Sequence, residues 1–383
     1  MATYEERLEI RADLLSGKVP KRVPIYVNFQ MDAACELAGV DLIKAHYDPA
    51  LMEKAYIKLC DTFFADSMPV ANMRFAPAYQ ALGSKNWVMS SKGNMQHPEI
   101  EPMQAEEYDD YTKDPYGYMM TAILPRICSA LDTDDPVANA ITLTKAYKHY
   151  NKASAEQGAV IGKLVQKHGY TPGMNTGNLL AAPFDFIADQ LRGFKAITMD
   201  LRRCPDKVEA AVNATLPLMM KQATLPTRVK SGSIDFIPLH LAPFINMKQF
   251  EKFYWPSLFK MVCDLDKLGI ACLLFAEDDW TRYAEHLAQL PESSIMQFEY
   301  GDPAEMKAKV GKNHVICGFF DPTITLTKSK EECLDITKRL CDTCGPGGRF
   351  SFRFNKGVIS MKSVDVPKLQ ACLEWVRDNT DYR

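Results

Sequence analysis

The chain has 383 residues, 47% of them apolar and 24% charged, with a formal net charge of −3. This is the balance of a soluble globular protein with a large core, and it offers no basic surface for nucleic acid. No apolar run approaches the roughly 20 residues that span a bilayer, and the opening Met-Ala-Thr-Tyr-Glu-Glu-Arg has no signal-peptide core. A cytoplasmic protein without membrane contact is expected.

In chain order, Tyr4 to Ser16 has the spacing of an amphipathic helix. Val23 to Val27 reads as a first strand that runs into the polar residues Asn28 and Gln30. Apolar residues recur at helical spacing from Leu51 to Phe64, and an irregular stretch begins at Ser67. Trp87 to Asp114 shows little periodicity. Acidic residues and prolines dominate Pro98 to Pro115, as in a lid-like excursion or a surface decoration. Asp135 to Lys167 reads as one long helix or two, broken by the segment from His168 to Gly177. Pro183 opens a helix to Arg192, since proline suits a first helical position. Pro and Asp open another over Pro205 to Val229. Ser233 to Leu239 is a strand that ends at His240.

Four short apolar runs follow, starting at Ile270, Ser294, His314 and Arg349, and each closes on polar residues. Runs this short and apolar are strands buried on both faces. Helical segments between them, Trp280 to Leu290 and Ser329 to Cys341, imply a parallel sheet. The expected fold is α/β, a (β/α)8 TIM barrel with N-terminal and lid-like additions, in a single domain over residues 1–383. In such a barrel the active site lies at the C-terminal ends of the strands. Asn28, Gln30, His240, Glu277, Glu299, Tyr300, Arg353, Asn355 and Lys356 gather there. Eleven cysteines, an odd number, read as reduced thiols. Cys341-Asp-Thr-Cys344 stands alone and reads as a turn with incidental thiols.

Lys21-Arg-Val-Pro24, Ala65-Asp66, Ala81-Leu-Gly83, Pro183 through Gly193, Asn246 through Phe250 with Pro256, Gly318-Phe-Phe-Asp321-Pro and Asn355-Lys356-Gly-Val follow one another in this order. In order and spacing these landmarks resemble the uroporphyrinogen decarboxylase superfamily, which includes methyltransferases that serve corrinoid proteins or coenzyme M. The departures carry information. The decarboxylases resemble one another in a Met-Arg-Gln-Ala-Gly-Arg motif whose arginines hold carboxylates. Here its arginine positions fall on Phe29 and Ala33, and Asp32 adds negative charge. The family's active-site tyrosine falls on Asp189, its serine on His240 and its late histidine on Lys356, while Asp66 matches the decarboxylase aspartate. Porphyrinogen decarboxylation is therefore not expected. The His-x-Cys and late Cys of the thiol-methylating members fall on Phe275-Ala-Glu277 and on Lys356 or Asn355, so a zinc-bound thiol acceptor is not expected either.

The resemblance implies a methyltransferase that moves a methyl group from a small, aromatic methoxylated compound to a corrinoid (cobalamin) held on a partner protein. Glu277, His240 and Lys356 are the expected catalytic residues, with Glu277 as leaving-group acid or metal ligand. Asn28, Gln30, Asp66, Asp189, Glu299, Tyr300, Arg353 and Asn355 are expected around the substrate. His240, Glu277 and Cys317 offer a zinc ligand set, against which Cys317 is a mid-strand core thiol and Glu277-Asp-Asp279 a helix N-terminus. Tyr26, Phe29, Tyr79, Trp87, Phe275, Tyr300, Phe319 and Phe354 suit an aromatic ligand or the core. Alternatives stay open. One is methyl transfer from a methylcorrinoid to tetrahydrofolate, with Asn28, Asn175, Asp189 and Asn355 on the pterin. Others are dehalogenation of a chloromethane, and a non-catalytic tetrapyrrole or corrinoid carrier. A homodimer is compatible with all of these.

Overall fold

A computed structural model describes residues 3–225 and 232–382. The chain forms two compact units, each assembled from separated stretches. The first comprises Met1–Met73, Glu156–Thr176 and Ala271–Arg383, and the second Arg74–Ala155 and Gly177–Ile270. Seven strands position the side chains discussed below: β1 (Phe29–Gln30), β2 (Val70–Ala71), β3 (Ile234–Leu239), β4 (Ala271–Asp279), β5 (Ile295–Tyr300), β6 (Val315–Phe320) and β7 (Phe350–Phe354).

In the first unit β4, β5, β6 and β7 pair in parallel and in chain order. Ile25 bridges Phe352 of β7, β1 pairs in parallel with β2, and Ser67 bridges Thr171. In the second unit Leu179 bridges Phe236 of β3, again in parallel. Counted along the chain, eight strand segments alternate with helices, which is the element order of a (β/α)8 barrel. The sequence expectation at 23–27 is met by a single bridge at Ile25, and the ladder proper starts at Phe29.

The long strands form because both of their faces are covered: Leu273, Leu274, Ile295, Phe298, Ile316 and Phe352 are all buried. Gly318 has φ 99°, and a Cβ there would strike the backbone of Phe298. The sheet closes up because β6 carries no side chain at that point. Phe319 (φ 66°) and Asp278 (φ 63°) hold the left-handed region without being glycine, at the C-terminal ends of β6 and β4.

Asp66 anchors the first strand. Its oxygens accept from Arg22 at 2.6 and 2.8 Å and from the Ile25 amide at 2.7 Å, with Arg7 at 3.5 Å. The guanidinium groups of Arg7, Arg22 and Arg377 lie 5.3, 5.4 and 5.2 Å from the Phe64 ring. Ser329 caps the helix Lys330–Cys344 in a reciprocal box with Glu332. That helix runs past the expected end at Cys341, so Cys341 and Cys344 lie within it, buried and unoxidised rather than in a turn.

In the second unit, the helix Pro183–Ile187 widens into a π turn over Ala188–Arg192. Arg192 bonds Asp200 at 2.7 Å and Glu101 at 2.9 Å, and Tyr108 bonds Asp200 at 2.9 Å. These contacts tie the acidic stretch around residue 100 to the helices. A small hairpin, Val88–Met89 with Met95–Gln96, forms where no periodicity is visible in the sequence. The helix that opens at Pro205 ends at Ala223, and the stretch Pro226 to Val229 of its expected range lies outside the described residues. Among the described residues no helix is long and apolar enough to cross a membrane.

Candidate functional site

The second unit holds a cavity of about 360 Å³. Arg74, Trp87, His97, Asp185, Asp189 and His240 supply its charged and aromatic wall. His240 follows β3 directly, and Asp189 lies on the π turn. Their contact is short: His240 Nδ1 to Asp189 Oδ2 is 2.6 Å. The extra residue of a π turn swings a side chain off the regular helical face, and here that side chain is a carboxylate.

Asp185, one turn earlier, is fully buried. Its carboxylate accepts from the His240 amide at 2.9 Å, the Leu241 amide at 3.0 Å and the Tyr254 hydroxyl at 2.5 Å. Burial raises the Asp185 carboxyl above its ordinary range, and the charge of Asp189 raises it further. Asp185 therefore fixes the backbone that carries His240, and Asp189 fixes its ring. Opposite them, Arg74 lies 4.0 Å over the Trp87 ring, and Trp87 stacks on His97 at 4.5 Å. Burial lowers the His97 pKa. An imidazole oriented by a carboxylate in a small, partly aromatic cavity can hold or move a proton on a bound organic molecule.

The remaining sequence candidates lie in the first unit. Glu277 is half-buried near the end of β4, and its carbonyl accepts from Trp280 Nε1 at 2.9 Å. The strand continues to Asp279, so the three acids do not open a helix; Asp279 instead accepts from the Thr281 amide at 2.8 Å. Glu299 accepts from Lys356 Nζ at 2.7 Å and from the Asp278 amide at 2.9 Å. That bond raises the Lys356 pKa, so Lys356 sits in a salt-bridged rim as a protonated cation. Its Nζ is 5.9 Å from the Tyr300 ring, and Tyr300 is 48% exposed. Asn355 is buried, with its side-chain oxygen accepting from the Lys356 amide. Gly357 abuts two amides: a Cβ there would lie 2.7 Å from Asn28 Nδ2 and 3.4 Å from Gln30 Nε2. Asp66 serves as the buried clamp described above, and its oxygens face arginines of its own unit. Arg353 is buried near the end of β7.

Cys317, a member of the expected zinc set, is fully buried in β6, and burial pushes its thiol up to about 11. Among the described residues no three His, Cys, Asp or Glu side chains gather as a metal requires. Of the expected set, Glu277 and Cys317 belong to the first unit and His240 to the second. Of the aromatic candidates, Trp87 lines the cavity with Tyr79 at 6.2 Å from it, while Tyr26, Phe29 and Phe354 are core. Sequence reasoning missed Asp185, Arg74, His97 and Tyr254. Asp185 reads as an ordinary first-turn helix carboxylate, and nothing in its neighbours signals that it bonds a segment 55 residues away.

The family model for uroporphyrinogen decarboxylase (URO-D) matches residues 163–378, more than half of the chain. The chain belongs to the URO-D family. Its fold is the (β/α)8 barrel of that family, and it is similar to a solved methyltransferase from Methanosarcina mazei. The TM-score is 0.61 over 99% of each chain, at 15% identity, a likeness of fold. No curated protein matches the chain. Asp189 and His240, both inside the matched stretch, are bonded to each other.

Proposed function

We propose that this URO-D family member is a methyltransferase that takes the methyl group of a small methoxylated compound and passes it to a corrinoid protein. The observation that carries the reading is the His240–Asp189 pair, at 2.6 Å, in a cavity walled by Trp87 and Phe186. Two separate departures from the family pattern make one proton-handling dyad, which a porphyrinogen site does not need.

The chemistry asked of such a site is specific. A methyl ether is a poor methyl donor because its leaving alkoxide or phenolate is too basic, and proton transfer to the oxygen removes that obstacle. The reduced corrinoid, as methyl acceptor, supplies the nucleophile. As the carbon–oxygen bond breaks, its electron pair goes to oxygen, and the proton comes from Nε2 of His240. Asp189, on Nδ1, holds the ring in register and stabilises its protonated form. Asp185 positions the His240 backbone, and Trp87 offers a face to an aromatic ring. Glu277, at the position of a ligand in the thiol-methylating relatives, is the rival acid. No step requires zinc.

The test mixes the protein with a cobalt(I) corrinoid and a panel of methoxylated aromatics, betaines and chloromethanes, and follows the corrinoid spectrum. Conversion with methoxylated aromatics is expected. His240→Gln should slow it by roughly 10²-fold or more, the size of a lost general acid, and Asp189→Asn less. If Glu277→Gln gives the large loss and His240→Gln does not, the acid is Glu277. Silence across the panel, with a control methyltransferase active, removes the reading.

A further inference from the structure

Four arginines are buried among the described residues: Arg7, Arg22, Arg192 and Arg353. Three have carboxylates. Arg7 and Arg22 share Asp66, and Arg192 has Asp200 and Glu101. Arg353 is only 6% exposed, and among the described residues no carboxylate acts on it. Its Nε is buried without a hydrogen-bond partner. A guanidinium cannot escape this by losing its proton. A buried charge of this kind is retained where something pairs with it.

The neighbours of Arg353 do not supply that partner. Its register partner on β6 is Phe319. Ser351, two residues back, shares its face and pairs with Cys317, which pairs in turn with Gln297 of β5. Cys317 is the titratable group that acts on the Arg353 charge, and burial keeps its thiol protonated. Glu299, next on the same face of β5, already takes Lys356 and the Asp278 amide. Gln297 turns its Nε2 to the carbonyls of Phe354 and Asn355, at 3.2 and 3.1 Å, and its Oε1 is buried without a partner. The side-chain oxygen of Asn28 is in the same state. Arg353 thus has no carboxylate acting on it, and a single negative charge would balance its single positive charge.

We infer that Arg353 is the anchor of a ligand site for a small organic carboxylate, at the C-terminal end of β7. The inference does not rest on the methyl-transfer reading, and no corrinoid is needed to test it. A guanidinium and a carboxylate meet through two parallel hydrogen bonds, so the site selects a planar acid over its uncharged analogue.

The experiment uses the full chain, calorimetric titration and thermal melting. The probes are benzoate and 4-methoxybenzoate, their primary amides, and inorganic phosphate. The carboxylates should bind roughly tenfold or more tightly than the amides, the preference expected of a charge-assisted pair. They should also raise the melting temperature. Arg353→Met should lose both effects and, without ligand, melt no lower than wild type, because an apolar side chain removes an uncompensated charge. Arg353→Lys should keep part of the preference. Equal binding of acid and amide overturns the inference, as do absence of carboxylate binding, phosphate binding more tightly than carboxylate, a preference that survives in Arg353→Met, and an unliganded Arg353→Met that melts well below wild type.

Discussion

Two buried carboxylates in this chain have opposite tasks, and their partners decide which. Asp66 faces two guanidinium groups and an amide, all in one unit. Replacing it with asparagine leaves Arg22 and Arg7 buried with no anion. Asp66→Asn should therefore cost about 3–5 kcal/mol, the range for breaking a buried ion pair from one side. Urea unfolding of the variant measures it directly, and a loss under about 1 kcal/mol would mean that solvent reaches the arginines. Asp185 faces two amides, a tyrosine and a second carboxylate, so its charge is opposed as well as supported. Its value to the protein lies in where it puts His240.

At the scale of elements, the acidic stretch after the hairpin is held to the helices by Arg192 and, within itself, by Arg126. Arg126 bonds Glu107 at 2.7 and 2.9 Å and the Pro102 carbonyl at 2.7 Å. The bond from Arg126 holds the Glu107 carboxyl down to about 2. A carboxyl lowered on folding contributes stability that is complete above its unfolded value of about 4.3, and the contribution is lost as pH falls through about 2. The Arg126 side chain is 41% exposed, so screening leaves well under ~1 kcal/mol. Amide protection factors in residues 98–131, rates taken relative to the unstructured chain at each pH, should fall between pH 4 and pH 2.5 in wild type, and Glu107→Gln should flatten that dependence. An unchanged profile in the variant would assign the acid sensitivity elsewhere. Such pairs, and the site itself, explain what could be read in advance. β4 to β7 are legible in the sequence because a strand covered on both faces must be a short apolar run. The segments at 67–71 and 171–180 are not, since Pro69 and Pro172 interrupt them and only one or two residues pair. His240 and Asp189 are visible only as departures from a family pattern. That they touch depends on a π turn, which no periodicity announces, and the cavity wall at Arg74, Trp87 and His97 comes from elements that meet only in the folded chain.

At the scale of the whole molecule, the first unit is built from the two ends of the chain. Ile25 bridges Phe352, the Val23 amide bonds Thr380 Oγ1, and Glu36 accepts from Ser360 Oγ at 2.7 Å, contacts more than 300 residues apart in sequence. β7 is central to this unit: β6 pairs on one side of it and the Ile25 segment bridges on the other. Non-local pairing of this kind makes folding slow, because the loop entropy is spent before the contacts form. A chain ending at Gly348 lacks β7 and the helix Val366–Asn379. It leaves β6 with an open edge and the first strand without its neighbour. Such a chain should keep helical far-ultraviolet signal yet lose near-ultraviolet signal and cooperative urea unfolding in the first unit. Tyr26 and Phe29, buried in that unit, lose their fixed surroundings. If the shortened chain unfolds cooperatively at the wild-type midpoint, β7 is not what holds the ends together, and the unit is stabilised chiefly by β4 to β6.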